Sequence, residues 1–83
     1  SKGSVCATQA HPREVYKGAI LANATAIVVC HNHPSGDPTP SPDDQVITDR
    51  LGQAGALLGI SLLDHVIIGR ACHYSMAEAR RYG

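Results

Sequence analysis

The chain has no tryptophan and no phenylalanine, so its core has to be assembled from Ile, Val, Leu and Ala. Such a core is thin. Aliphatic burial yields roughly 25 cal/mol per Å² against a large ordering entropy, and a metal ion or a neighbouring segment is expected to contribute to stability. With 83 residues there is room for one small domain, and the chain is expected to be a fragment of a longer protein. Net charge is also missing: seven basic and seven acidic residues cancel, leaving no global field to draw nucleic acid or an anionic membrane. Arg80 and Arg81 stand together near the end, which reads as a solvated face. Long apolar runs are absent. Ala26 to Cys30 and Val66 to Ile68 fall far short of the ~20 residues that cross a bilayer, and no signal peptide is visible. The cysteines Cys6, Cys30 and Cys72 are odd in number and lack CxxC spacing, which argues against a disulfide framework and for a reducing, cytoplasmic setting.

What is present alternates between strand and helix signals. Ser4 to Gln9 reads as a first strand. Pro12 opens a helix over Arg13 to Ala22, with Glu14 near the positive end of the dipole and Val15, Ala19 and Ala22 as its buried stripe. His11, before the proline, reads as a loop residue. Thr25 to Cys30 (TAIVVC) is a β-branched apolar run, expected as a central strand covered on both faces. From Pro34 to Pro42 four prolines, one glycine and two serines block regular structure and predict a rigid, ordered loop. Ser41 then looks like an N-cap, followed by Pro42, Asp43 and Asp44 in the first helical turn. This helix is predicted to run to about Leu58, with Ile47, Leu51, Ala54 and Leu58 on one face, Gly59 as a left-handed stop, and Gly52 and Gly55 as slight weaknesses. Leu62 to Ile68 is a second buried-strand candidate ended by Gly69, and Ser75 to Arg81 a short last helix with Ser75 and Glu78 as a capping box. The order describes an α/β domain, a small sheet flanked by helices.

Chemistry concentrates around the proline-rich loop. Residues two apart in a strand share a face, so His31 and His33 present their imidazoles together while Asn32 points away. An Asp in the first turn of the following helix approaches from the loop side, giving two imidazoles, one carboxylate and an open fourth position, the pattern of a catalytic zinc site. In such a site zinc lowers the pKa of its bound water to about 7. A His-x-His pair alone is more often incidental than ligating.

The stretch HNHPSGDPTPSPDD, spaced as His31-x-His33, seven residues, Ser41, two residues and Asp44, is similar to the JAMM (MPN-plus) metalloprotease motif HxHx7SxxD. HPREVYKGAILANATAIVV before it and LLGISLLDHVIIG after it resemble the C-terminal domain of the bacterial RadC family. The resemblance implies a zinc site of His31, His33 and Asp44, with Ser41 stabilising the oxyanion formed when water attacks a peptide or isopeptide carbonyl. It also implies the mixed α/β JAMM/MPN fold shared with cytidine deaminases, and a traditional association with DNA repair. One element departs from the pattern: the family's general-base glutamate lies on a strand well upstream of the histidines, so the resemblance implies a chain truncated at its N-terminus, starting after that strand. Glu14, the nearest preceding acidic residue, stands at a helix start instead, where dipole stabilisation is its simpler role.

Rival readings are weaker. Cys30 beside His31 and Cys72 beside His73 evoke a Cys/His structural zinc, but Cys30 should face away from His31 in a regular strand. Asp64 and His65, inside the last apolar run, read either as a satisfied core pair or as a buttress for a ligand histidine. The letters HNH do not make a nuclease, whose named residues are spread over a hairpin and a helix, and a zinc deaminase needs H-x-E with a later PCxxC. Two functions remain: a zinc-dependent peptidase-like hydrolase, and a RadC-type accessory domain that binds a protein or DNA partner. Substrate and oligomeric state are not written in these residues.

Overall fold

The computed structural model describes residues 4–7 and 11–82, with side chains described over residues 11–80. The elements are β1 (Ser4–Ala7), α1 (Pro12–Leu21), β2 (Ala26–Asn32), α2 (Pro42–Leu58), β3 (Ser61–Ile68), β4 (His73–Ser75) and α3 (Met76–Tyr82). The strands form one mixed sheet in the order β1-β2-β3-β4, in which β1, β2 and β3 run parallel and β4 pairs antiparallel to β3. The expected small α/β sheet with flanking helices is therefore present. The first predicted strand is found over Ser4–Ala7, and its Thr8 and Gln9 lie outside the described residues.

Parallel neighbours joined by helices require crossovers of one hand, which sends both connecting helices to the same side of the sheet. Val15, Tyr16 and Ala19 of α1 and Leu51 of α2 accordingly close over Ile27 and Val29 of β2. This corrects the expectation of strands covered on both faces: along β2 only Ile27 and Val29 are buried, and along β3 only His65 and Ile67. Leu63 and Ile68 remain 51% and 41% exposed.

His11 is a cap and not a plain loop residue, since its Nδ1 accepts from the Arg13 amide at 3.2 Å. Ala22, expected in the buried stripe of α1, is its exposed C-terminal cap, and Tyr16 takes the core position. The tyrosine hydroxyl donates to the Leu51 carbonyl at 2.6 Å, where α1 crosses α2. That crossing explains Gly55, which the sequence marks as a weakness. A Cβ there would come within 2.2 Å of the Ile60 carbonyl oxygen and 2.5 Å of the Tyr16 hydroxyl. Of the predicted face of α2, Leu51 is buried and Ile47 and Ala54 pack partly buried against the core, while Leu58 is half exposed; Asp44, Thr48 and Gly55, outside the aliphatic pattern, are the other fully buried positions. Gly59 ends α2 as expected, at φ 74°.

β4, too short for a periodic signal, was not anticipated. Ser75 ends it and caps α3, accepting from the Glu78 amide at 3.1 Å, and Arg80 pairs with Asp49 of α2 at 3.0 Å.

Candidate metal centre

His31 is the penultimate residue of β2, and His33 follows the strand's end with its amide still donating to the Ile68 carbonyl at 3.1 Å. The ladder thus holds both imidazoles on one side of the sheet. Beyond them the proline-rich loop is pinned rather than free. The Gly36 amide donates to the His33 carbonyl at 3.0 Å, and the Gly36 carbonyl accepts from the Arg70 amide at 2.9 Å. Gly69 permits that approach, because a Cβ there would lie 2.4 Å from the Gly36 oxygen. Asp37 folds the next turn by accepting from the Thr39 amide and hydroxyl at 3.0 and 2.7 Å.

The loop delivers the chain to Ser41, which caps α2 as its sequence predicts. The Ser41 hydroxyl accepts from the Asp44 amide at 3.1 Å, and the Ser41 amide donates to Asp44 Oδ2 at 2.8 Å, a reciprocal capping box. The box orients Asp44, 2% exposed, toward the histidines. Its Oδ1 lies 3.3 Å from His31 Nδ1 and its Oδ2 3.0 Å from His33 Nε2. Donor atoms of His31, His33 and Asp44 all fall within 4.8 Å of one another. Three side chains from a strand, a strand's end and a helix start are brought to one point.

Proton accounting tests whether these atoms fit a cation. A backbone carbonyl only accepts, so the 2.9 Å contact from His33 Nδ1 to the Asp37 oxygen makes Nδ1 the protonated nitrogen. In neutral His33 the Nε2 is then a bare lone pair, 3.0 Å from a carboxylate oxygen that is also only an acceptor. Two acceptors at that separation need a positive charge between them or on one of them. His31 Nδ1 is likewise buried and makes no hydrogen bond among the described residues. This set, with one histidine's tautomer fixed from behind by a carbonyl, has the chemistry of a divalent-metal site.

Burial works against ionised Asp44, but the Ser41 amide and hydroxyl, with His31 and His33, outweigh it and hold the carboxyl below its ordinary value. It is therefore a charged carboxylate at neutral pH, able to hold a cation. Burial also pushes the His65 pKa down, and the neighbouring His31 adds to the effect.

Asp64 and His65 do not act as one pair. Asp64 accepts from the His65 and Ala77 amides at 2.7 and 2.9 Å and from the Ser75 hydroxyl, tying β3 to the start of α3. His65 turns to the helix-covered face and reaches Thr48 Oγ1 with its Nδ1 at 2.7 Å. Thr48 was missed in the sequence, although its position one turn after Asp44 was a usable signal. Neither Cys30, Cys72 nor His73 joins a ligand cluster among the described residues. Glu14 lies in the exposed first turn of α1, 3.9 Å from Arg13, and is not part of the cluster.

A profile of the RadC-like JAB domain matches residues 1–81. The chain is similar to a UPF0758 protein of Thermotoga maritima, 59% identical over 68 residues, covering 82% of this chain and 31% of the relative. A UPF0758 protein of Shouchella clausii is 54% identical over 76 residues, covering 92% of the chain and 33% of the relative. One of Clostridium novyi is 54% identical over 78 residues, with 94% and 34% covered. The chain thus spans about a third of the length of the curated relatives it matches.

Proposed function

Because the chain belongs to the RadC-like JAB domain family, we propose that it is a zinc-binding domain of a metal-dependent hydrolase acting on peptide or isopeptide bonds. The observation that carries the reading is the approach of His33 Nε2 to Asp44 Oδ2 at 3.0 Å while Nδ1 faces the Asp37 carbonyl, beside a buried His31 Nδ1 that makes no hydrogen bond among the described residues and lies 3.3 Å from Asp44 Oδ1. When bound, zinc supplies Lewis acidity and a water acidified to a pKa of about 7. The protein's own groups do the rest. Asp44 contributes a full negative charge, kept ionised by its capping box. Asp37, through its carbonyl, keeps the proton of His33 on the far nitrogen, so the near one is free to ligate. Ser41 uses its oxygen lone pair to cap α2, and its O–H, which also supports the ionised Asp44 carboxylate, is the donor proposed to turn to the carbonyl oxygen as it becomes negative.

Among the described residues neither Glu14 nor Glu78 belongs to the cluster, and no proton-accepting carboxylate is assigned for the water. Hydrolysis is proposed for the protein that carries this domain. No described helix is long and apolar enough to cross a membrane, and the proposed setting is the reducing cytoplasm. The test is a library of peptide and isopeptide substrates offered to the complete protein. Chelator-sensitive cleavage, abolished by His31→Ala with His33→Ala, is expected. Total inertness of a zinc-loaded complete protein would refute the hydrolase and favour a domain that keeps the fold and ion for binding a partner.

A further inference from the structure

The ligand Asp44 is gripped from two sides, and only one of them is the capping box. Thr48, one helical turn on and buried, donates its hydroxyl proton to the Asp44 carbonyl at 2.7 Å. A threonine has one such proton, so the 2.7 Å contact with His65 must run the other way, from His65 Nδ1–H to the Thr48 oxygen lone pair. His65 is 1% exposed and lies nearly parallel to His31, with ring centroids 5.8 Å apart and planes 15° from each other. One buried histidine thus bears on two of the three ligand residues. It touches the backbone of Asp44 through Thr48 and backs the ring of His31 directly.

The placement of His65 follows from an irregularity in the sheet. Between β2 and β3, Ile27 pairs with Leu62 but Val28 pairs with Asp64, so Leu63 is an extra residue. That insertion moves His65 into register with Val29, a buried residue of the helix-covered face, and sends Asp64 to the other side. Without it the regular alternation would exchange the two. A polar ring in this aliphatic core costs desolvation, and its Nε2 has no partner among the described residues. Core packing gives no account of that cost; a role at the neighbouring ligands does.

We infer that His65 and Thr48 are positioning residues of the metal centre, a buried hydrogen-bonded pair that fixes the first turn of α2, and with it Asp44, against the His31 ring. The inference rests on the zinc reading above. Removal of such outer partners weakens metal binding by about 10–100-fold.

The test uses the complete protein, with zinc affinity read by chelator competition and ligand geometry by the visible spectrum of the cobalt-substituted form. Thr48→Val keeps the shape of the side chain and deletes both hydrogen bonds; about tenfold weaker zinc binding and an altered cobalt spectrum are expected. Thr48→Ser restores the hydroxyl and is expected to restore both readouts. Circular dichroism establishes that each variant is folded. If Thr48→Val does not fold, His65→Asn is read instead, since its Nδ2 stands where Nδ1 stands. It is expected to hold zinc far better than His65→Leu, which has no donor. Unsubstituted protein that takes up no zinc would remove the zinc reading and this inference together. Wild-type zinc affinity and an unchanged cobalt spectrum in folded Thr48→Val would overturn this inference alone.

Discussion

Replacing Ser41 by alanine and, separately, by glycine splits the two tasks assigned to its hydroxyl. Both substitutions remove the acceptor of the Asp44 amide, a 3.1 Å bond, and leave the Ser41 amide donating to Asp44 Oδ2. An alanine N-cap costs about 1 kcal/mol relative to serine, within a range of roughly 0.5–2, whereas glycine, free to adopt cap geometry and let water in, costs only a few tenths. For a domain of this size 1 kcal/mol corresponds to a fall in Tm of about 4–8 °C. Thermal unfolding followed by circular dichroism should therefore rank serine above glycine and glycine above alanine. Turnover by the complete protein should rank differently. Loss of an oxyanion donor costs on the order of 10²–10³ in kcat, and alanine and glycine lack the donor equally, so both should fall together while KM moves little. If activity instead tracked Tm, with glycine nearly wild type, the hydroxyl would be a cap and nothing more. Equal stability of all three would refute the capping argument itself.

Two glycines of α2, three residues apart, should respond oppositely to alanine. Gly52 has open space around its Cβ position, so Gly52→Ala is expected to stabilise the chain by about 0.4–1 kcal/mol. Gly55→Ala drives a methyl into the Ile60 carbonyl and the Tyr16 hydroxyl and should destabilise by about 1–3 kcal/mol; chemical denaturation of both variants checks the pair, and a neutral Gly55→Ala would contradict the α1–α2 crossing. Acidification offers a third check. The His65 pKa is lowered from its ordinary 6.5 by burial first and by His31 second, so the unfolded chain takes up a proton that the folded one resists. Stability of the chelator-treated protein is then complete above pH 6.5 and declines as pH falls below it. Asp44, held below its ordinary 3.8, adds a second loss only at lower pH. A flat unfolding profile down to the carboxylate range would show that His65 is not held neutral by the fold.

The parts of the site that read cleanly in the sequence are those fixed by local geometry. The two-residue spacing of His31 and His33 and the Ser41, Pro42, Asp44 helix start need only strand alternation and capping rules; in the structure His31, His33 and Asp44 converge, and Ser41 caps the helix that carries Asp44. What escaped depends on contacts between distant segments. Gly55 looks like a weak helix residue until Tyr16 is known to cross it. His65 looks like half of a core pair until Leu63 is seen to break the register. The two apolar strands looked doubly covered because their composition is rich in β-branched residues, but both connecting helices lie on one side, a consequence of topology that a window of residues does not contain. His11 reads as a loop residue because a proline follows it, yet a histidine one residue before the first turn has a ring nitrogen able to cap it.

His31, His33 and Asp44 are proposed to hold one divalent cation. Zinc-edge X-ray absorption on the protein as isolated measures this directly. The account predicts a shell of nitrogen and oxygen at about 2.0–2.2 Å with imidazole back-scattering from two rings, reduced or lost in His31→Ala with His33→Ala. A sulfur shell near 2.3 Å would place the ion on cysteine instead, and protein free of metal after zinc exposure at neutral pH would contradict the claim outright.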